Sequence, residues 1–547
     1  MISASALLRG LAAGFFAAAI AYEAICFYGF PRDINAPSIL AFQAAILAFG
    51  AYAMFCPSPR GARHPLALTA LFVMALALFL PFAFTYASFG TRDVESILIT
   101  MNENQLADMT GVALDSFAGD MTEHAVAITA ALGTIWFLLR HVAGFGVMLV
   151  GLVAWMAIAS PISLFVYRLA VPNPAFARIV PERDVVEPEI VDRPDRKKNL
   201  VILYVESLER TYRDMPLTAP LFAPLARIED AGISARGIGG LEGTNFSAGG
   251  MVATQCGLPL YPRGMLHVGA TGLHNPDAEV DFAGFMPHTT CLGDILRQEG
   301  YVASYLNGSD LRLFSLGEFF GSHGYDRLLG LESFPNHETE ARKNIWGVND
   351  SVLFEHAKRE LHALVAQDRP FLLALLTVNT HGPDGIDDDG CETPDNSPNP
   401  LGTAIHCTGV QVQDLIDEIG RMGIADDTII AVMSDHIAMK NSFSRELKAH
   451  VADGGKRNNL FTLIGAGAPR VIERQATMID VYPTLVEALG YSLADGRANM
   501  GRSLFSDQPN LTETIGHAEL NEALDGNHDL QKYLWAQHGA TDLHASR

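Results

Sequence analysis

The sequence predicts an α/β fold in two parts. A bundle of five transmembrane helices is expected over residues 1–168, followed by a domain over 199–515 with a mainly parallel sheet flanked by helices. Three observations predict this. Apolar residues crowd the chain before about residue 170. From Asn199 onward, short apolar runs rich in β-branched residues alternate with helical patterns, as in parallel α/β folds. Three of those runs end abruptly in ionisable residues, and the C-terminal edge of such a sheet is where ligands bind.

In the first part, a membrane-crossing helix needs roughly 20 mostly apolar residues. The stretches 5–29, 36–57, 65–88, 124–140 and 144–168 qualify, the fourth being short and the fifth carrying Pro161. Apolar segments keep following the first one, which argues against a cleaved signal peptide. Arg9, Arg60, Arg63 and Arg140 would lie inside, against Arg32 and Arg92 outside, the asymmetry expected of a chain with its N-terminus in the cytoplasm. Five crossings then place the second part outside. Between the third and fourth segments, 97–117 mixes apolar and acidic residues, and reads either as a helix at the outer interface or as a solvated loop. Residues 169–198 contain Pro172, Pro174, Pro181, Pro188 and Pro194 among charges, the composition of an extended linker. Residues 516–547 read as a polar C-terminal tail.

Charge narrows the partners. Acidic residues outnumber basic ones 61 to 38, for a formal charge of −23, so no basic surplus exists to neutralise nucleic-acid phosphates. Cys256, Cys291, Cys391 and Cys407 lie in the polar part. Four cysteines allow three pairings; sequence proximity favours Cys391–Cys407 with Cys256–Cys291 as the complement, and four reduced thiols are the alternative.

Strands are expected at 199–205, Tyr301–Leu306, Pro370–Val378, Thr428–Met433 and Leu460–Ile464. The first ends in Glu206, the third in Asn379-Thr380-His381, and the fourth in Ser434-Asp435-His436. Singly, each reads as a turn or helix cap. Together, at one sheet edge, they form an oxygen and nitrogen ligand set for a divalent cation. The nucleophile candidate lies in the glycine-rich run 239–251, where Thr244 stands just ahead of a helical pattern and Ser247 is its rival. A hydroxyl at a helix N-terminus faces free N–H groups and a favourable dipole, although Thr244 would equally serve as an ordinary N-cap. Asn307, Asp310 and Arg312 follow another strand. Arg312 suits a phosphate oxygen, or else forms a surface ion pair.

The runs Val205-Glu206-Ser207-Leu208-Glu209-Arg210-Thr211-Tyr212, Gly243-Thr244, Met251-Val252-Ala253-Thr254-Gln255-Cys256-Gly257, Cys291-Leu292-Gly293-Asp294, Ser322-His323-Gly324-Tyr325-Asp326, Ser434-Asp435-His436 and Arg457-Asn458-Asn459-Leu460-Phe461 closely resemble the bacterial phosphoglycerol transferases that modify osmoregulated periplasmic glucans. These are relatives of the lipoteichoic acid synthases within the alkaline phosphatase and sulfatase superfamily. The resemblance spans roughly residues 196–510. It implies that Glu206, Thr244, Asp435 and His436 hold one divalent ion, Mn²⁺ or Mg²⁺ in preference to Zn²⁺. It further implies that Thr244 is the nucleophile, that His381 lies near the leaving or accepting oxygen, and that Arg312, with Asn307 and Asp310, binds the substrate. The implied reaction moves a glycerophosphoryl group from phosphatidylglycerol to a periplasmic glucan and releases diacylglycerol into the lipid bilayer. Phosphoethanolamine transfer is the alternative. One element departs from the lipoteichoic acid synthases: their Trp-Asn-Arg is replaced here by Asp310-Leu311-Arg312-Leu313-Phe314. A sulfatase is disfavoured, because Cys256-Gly257-Leu258-Pro259 places Pro one position late for a Cys-x-Pro-x-Arg motif.

Overall fold

The computed structural model describes residues 174–260, 285–334, 343, 344, 346–388, 390–392, 394–525 and 527–535. The chain separates into two units, Met1–Val171 and Pro172–Arg547, and all described residues belong to the second. The five expected membrane segments lie outside the described residues. Among the described residues, no helix is long and apolar enough to cross a membrane.

The sheet is built from β1 (Asn199–Val205), β2 (Ile233–Ala235), β3 (Val302–Asn307), β4 (Arg327–Leu329), β5 (Phe371–Leu376), β6 (Thr428–Ser434), β7 (Phe461–Ile464) and β8 (Arg470–Ile472). Its eight strands run in the order β8-β2-β7-β6-β1-β5-β3-β4. The block from β6 to β4 is parallel throughout. Within this sheet β7 runs against both of its neighbours.

Burial of both faces explains why β1 is continuously apolar. Leu200, Ile202 and Tyr204 point into one core cluster, while Val201, Leu203 and Val205 point into another. On the second face pack α1 (Ala219–Ala231), α3 (Asp350–Val365) and α4 (Pro400–Arg421), through residues such as Leu225, Leu361 and Leu415. On the first lie α2 (Ser247–Cys256) and α5 (Val481–Ala488), through Met251, Val252 and Leu485. The buried Tyr204 hydroxyl pins α2 to the central strand, bonding Thr254 Oγ1 at 2.8 Å and accepting from Gln255 Nε2 at 2.9 Å.

Two segments differ from the sequence reading. The described part of the expected linker carries helical turns at Pro174–Arg178 and Pro181–Asp184, and Ile190–Asp192 pairs antiparallel with Ser492–Leu493. Ala175 and Ile179 are buried. The expected C-terminal tail forms α6 (His517–Leu524) and α7 (His528–Trp535). Leu520, Ala523, Leu524, Leu530, Leu534 and Trp535 enter the core. Within each helix they fall three to five residues apart or adjacent, on one apolar face per helix, which the polar average composition of this stretch conceals.

The tightest approach behind the sheet edge is backbone on backbone. A Cβ added to Gly250 in α2 would fall 1.6 Å from the carbonyl oxygen of Asp435. Gly250→Ala must therefore displace either α2 or the end of β6, and should lower stability by at least about 1–3 kcal/mol in chemical denaturation. Gly420→Ala in α4, where a Cβ meets nothing within 4 Å, should be neutral or slightly stabilising in the same measurement.

Candidate metal centre and nucleophile

Strand register decides which side chains meet. Val205 on β1 is level with Ser434 on β6, and Tyr204 is level with Leu376 on β5. The three adjacent parallel strands thus end together, and the residues that follow turn into one buried site. At the turn after β1, Glu206 N–H donates to Thr377 Oγ1 at 3.0 Å, and the Thr380 hydroxyl donates to Glu206 O. Ser207 adopts a left-handed φ of 50°. Its N–H donates to Asp435 Oδ1 at 2.8 Å, and its hydroxyl donates to Glu206 Oε1 at 2.8 Å. The His436 N–H also reaches Asp435 Oδ1, at 2.9 Å.

Glu206, Asp435 and His436 are all buried, and each offers a ligand atom within 4.8 Å of the other two. His436 Nδ1 donates to Ile437 O at 2.8 Å, which turns Nε2 toward the carboxylates, 3.4 Å from Asp435 Oδ2 and 3.6 Å from Glu206 Oε1. Asp435 Oδ2 is buried without a hydrogen-bond partner, and buried polar atoms are rarely left so. Two carboxylates, one imidazole with its far nitrogen anchored to a carbonyl, and an orphaned oxygen fit a divalent cation.

The charges are mutually dependent. Burial opposes ionisation of Glu206, yet the hydrogen bond to His436 and the charges of His381 and His436 prevail and hold it below the usual carboxylate range. Burial and the neighbouring Glu206 push Asp435 up to about 8. Burial lowers His436, but Asp435 and Glu206 outweigh it and raise the imidazole to about 9.

The structure places the Thr244 hydroxyl apart from the cluster. Its hydroxyl is spent on its own loop, donating to Leu241 O at 3.0 Å and accepting from Leu241 N–H at 2.9 Å. The group facing the cluster is Ser247 Oγ, which donates to Glu206 Oε2 at 3.2 Å and lies 3.4 Å from His436 Nε2. Ser247 is the first residue of α2, following an extended Phe246. The expected position at a helix N-terminus exists, but three residues later than Thr244.

His381 arrives from the segment after β5. Nδ1 donates to Gly382 O at 2.8 Å, leaving Nε2 4.0 Å from Glu206 Oε1. The expected substrate residues fold their own loop: Ser309 N–H donates to Asn307 Oδ1, and the exposed Arg312 pairs with Asp310 through Nη2 to Oδ2 at 2.6 Å. Disulfides join Cys256 to Cys291 and Cys391 to Cys407. The first takes Cys291 out of a second cluster with Asp294 and His323, whose imidazole is held by Asp294 Oδ2 and Phe285 O, each at 2.9 Å.

The motifs around Glu209 and Arg457 are a brace. Arg457 bonds the buried Glu209 carboxylate and Ala438 O, Arg210 N–H donates to Asn458 O, and Asn458 N–H donates to Thr211 Oγ1. This ties the segment after Glu206 to the chain between β6 and β7. The sequence reading passed over Thr377, Thr380 and Ser207, which shape the site without bearing chemistry. It also passed over Trp346, whose ring lies 3.9 Å from that of His381.

The sulfatase family pattern matches residues 199–491, more than half of the chain. The chain belongs to the sulfatase family. Phosphoglycerol transferase I of Escherichia coli O127:H6 is 33% identical over 322 residues, 58% of this chain and 40% of that protein. The Shigella flexneri protein of the same name is 32% identical over 322 residues. The chain thus spans 40% of the length of these curated relatives. An alkaline phosphatase superfamily protein of Vibrio parahaemolyticus superposes with a TM-score of 0.50 at 19% identity, covering 66% of this chain and 95% of its own. That likeness is one of fold.

Cation binding needs the deprotonated ligands, and Asp435 and His436 are raised to about 8 and about 9. Protons therefore compete with metal below those values. Mn²⁺ affinity of the full chain should rise from pH 6 to pH 8 in calorimetric titration, with protons released on binding. An affinity that does not change with pH would count against these two residues as ligands.

Proposed function

We propose that this protein is a metal-dependent phosphoglycerol transferase that works through a covalent glycerophosphoryl-serine on Ser247. The observation that carries the reading is the placement of Ser247 Oγ, at the head of a ten-residue helix and within reach of both Glu206 and His436. Membership of the sulfatase family and the name phosphoglycerol transferase borne by the curated relatives support the group transferred. Hydrolysis of sulfate esters fits less well, since Ser247-Ala248-Gly249-Gly250-Met251 has neither the Pro nor the Arg of the sulfatase motif.

The donor is phosphatidylglycerol. Ser247 Oγ, its proton given up to solvent, attacks the phosphorus; an O–P bond forms to the serine, and the bond to the diacylglycerol oxygen breaks. A divalent cation, Mn²⁺ or Mg²⁺, held by Glu206, Asp435 and His436 would favour the serine alkoxide and offset charge on the phosphoryl oxygens. The first N–H groups of α2 point toward the same anionic oxygens. His381 Nε2 supplies a proton to the departing alkoxide and then removes one from the incoming hydroxyl. The acceptor, a hydroxyl of a periplasmic glucan, attacks the same phosphorus; its O–P bond forms, the Ser247 O–P bond breaks, and the serine oxygen is freed for the next turnover. Residues 1–168 hold the catalytic domain at the outer face of the inner membrane, where the acyl chains of the donor remain in the bilayer throughout.

Membranes containing the protein should transfer radiolabelled glycerophosphate from phosphatidylglycerol to a glucan, with activity lost to EDTA and restored by Mn²⁺ or Mg²⁺. Ser247→Ala should lower transfer by at least about 10³-fold, whereas Thr244→Ala should keep measurable activity. Full activity in the Ser247 variant sinks the nucleophile assignment. Mass spectrometry of the 239–260 segment after exposure to donor identifies the group: a phosphoethanolamine adduct would replace phosphoglycerol transfer with phosphoethanolamine transfer.

A further inference from the structure

We propose that Trp346 is a positioning residue that fixes the plane of the His381 imidazole, so that Nε2 faces the oxygen leaving or entering at phosphorus. The proposal rests on the role given to His381 above. The two rings lie against each other in a tilted contact, with centroids 3.9 Å apart and planes 33° apart, close enough for the indole to restrict the imidazole's orientation. His381 Nδ1 is bound to the carbonyl of the next residue, Gly382. That bond alone leaves the ring free to swing about the Nδ1–O line, and the indole removes this freedom. The remaining nitrogen is then held 4.0 Å from Glu206 Oε1, at the metal cluster.

The Trp346 side is built with the same care. Trp346 sits at the tip of a short hairpin in which Lys343–Asn344 pairs with Gly347–Val348. Asn344 Oδ1 accepts from the N–H groups of both Trp346 and Gly347, at 2.8 and 3.0 Å. The same side chain donates through Nδ2 to Asn349 Oδ1 at 3.0 Å and to Asn379 Oδ1 at 3.3 Å. Asn379 lies two residues before His381, and its own N–H is held by the buried Asp350 at 3.3 Å. One asparagine therefore ties the tryptophan's turn to the strand end that delivers the histidine. Gly347 has φ +152°, and a Cβ there would fall 2.1 Å from Gly308 O. The hairpin is thus seated tightly against the loop after β3. Trp346 itself is half-buried.

The full chain, purified in detergent with ¹³C-labelled histidine, tests this. The His381 ring C–H resonance, identified by its absence in His381→Ala, should be shifted upfield by the indole ring current. It should move downfield in Trp346→Leu and recover in part in Trp346→Phe. In the transfer assay, Trp346→Leu should lower kcat by about ten- to a hundredfold with KM little changed, as small misplacements of a reacting group do, while Trp346→Phe keeps most of kcat. In the His381→Ala background, Trp346→Leu should cause no further loss. A raised KM with unchanged kcat would make Trp346 a substrate contact and overturn the proposal. So would an unmoved histidine resonance, or an undiminished loss in the His381→Ala background. Absence of transfer by the wild-type protein would overturn the functional reading instead, and the ring-current shift would still decide the placement of the imidazole.

Discussion

Two buried carboxylates at the ends of neighbouring parallel strands cannot both be ionised without a positive partner. Glu206 and Asp435 are in this position, and the rest of the domain serves to keep them there. The register of β1 against β6 sets them side by side. Ser207 N–H and His436 N–H fix one oxygen of Asp435 and leave the other with no bond. The imidazoles of His436 and His381 face the pair and offset part of its charge. Once its ligands lose their protons, such a site is negative and selects a cation, and the cation in turn favours an anionic group next to it.

The elements around the site divide the labour between chemistry and support. Few side chains face the reacting position: Glu206, Asp435, His436, Ser247 and His381. A larger number hold the backbone that carries them. The Glu209–Arg457 brace connects the turn after β1 with the chain beyond β6. The absence of a side chain at Gly250 lets α2 press onto Asp435. Glu209 and Arg457 lie in the same short runs that make the chain resemble the phosphoglycerol transferases. Much of that resemblance therefore marks geometry rather than reactivity.

The sheet and the cluster of Glu206, Asp435 and His436 were legible in the sequence because both are strictly local signals. A run such as Leu200–Val205, buried on both faces, has no reason to alternate, and Glu206 ends it without ambiguity. The nucleophile was less legible. Thr244 and Ser247 stand in the same glycine-rich stretch, and the start of α2 depends on how that stretch folds. Thr244 closes a turn on Leu241, so the helix begins at Ser247. Nothing in the local sequence distinguishes a threonine that caps its own loop from one that faces a metal. The C-terminal helices were missed because their apolar face is diluted by polar neighbours. Trp346 was missed because its partner, His381, lies on another element and is brought to it only by the fold.

The placement of α6 bears on the order in which the site is completed. His517 Nε2 bonds Gly240 O at 2.9 Å, and Asn521 Oδ1 accepts from Glu242 N–H at 2.7 Å. Two backbone groups of the loop leading to Ser247 are thus satisfied by residues 277 and 279 positions later in the chain. Contacts of such range form late, after the loop between them has been closed. A nascent chain emerging N-terminus first would carry its metal ligands and its serine well before the loop is finished. The loop that carries Ser247 would then be complete only once these last helices have docked.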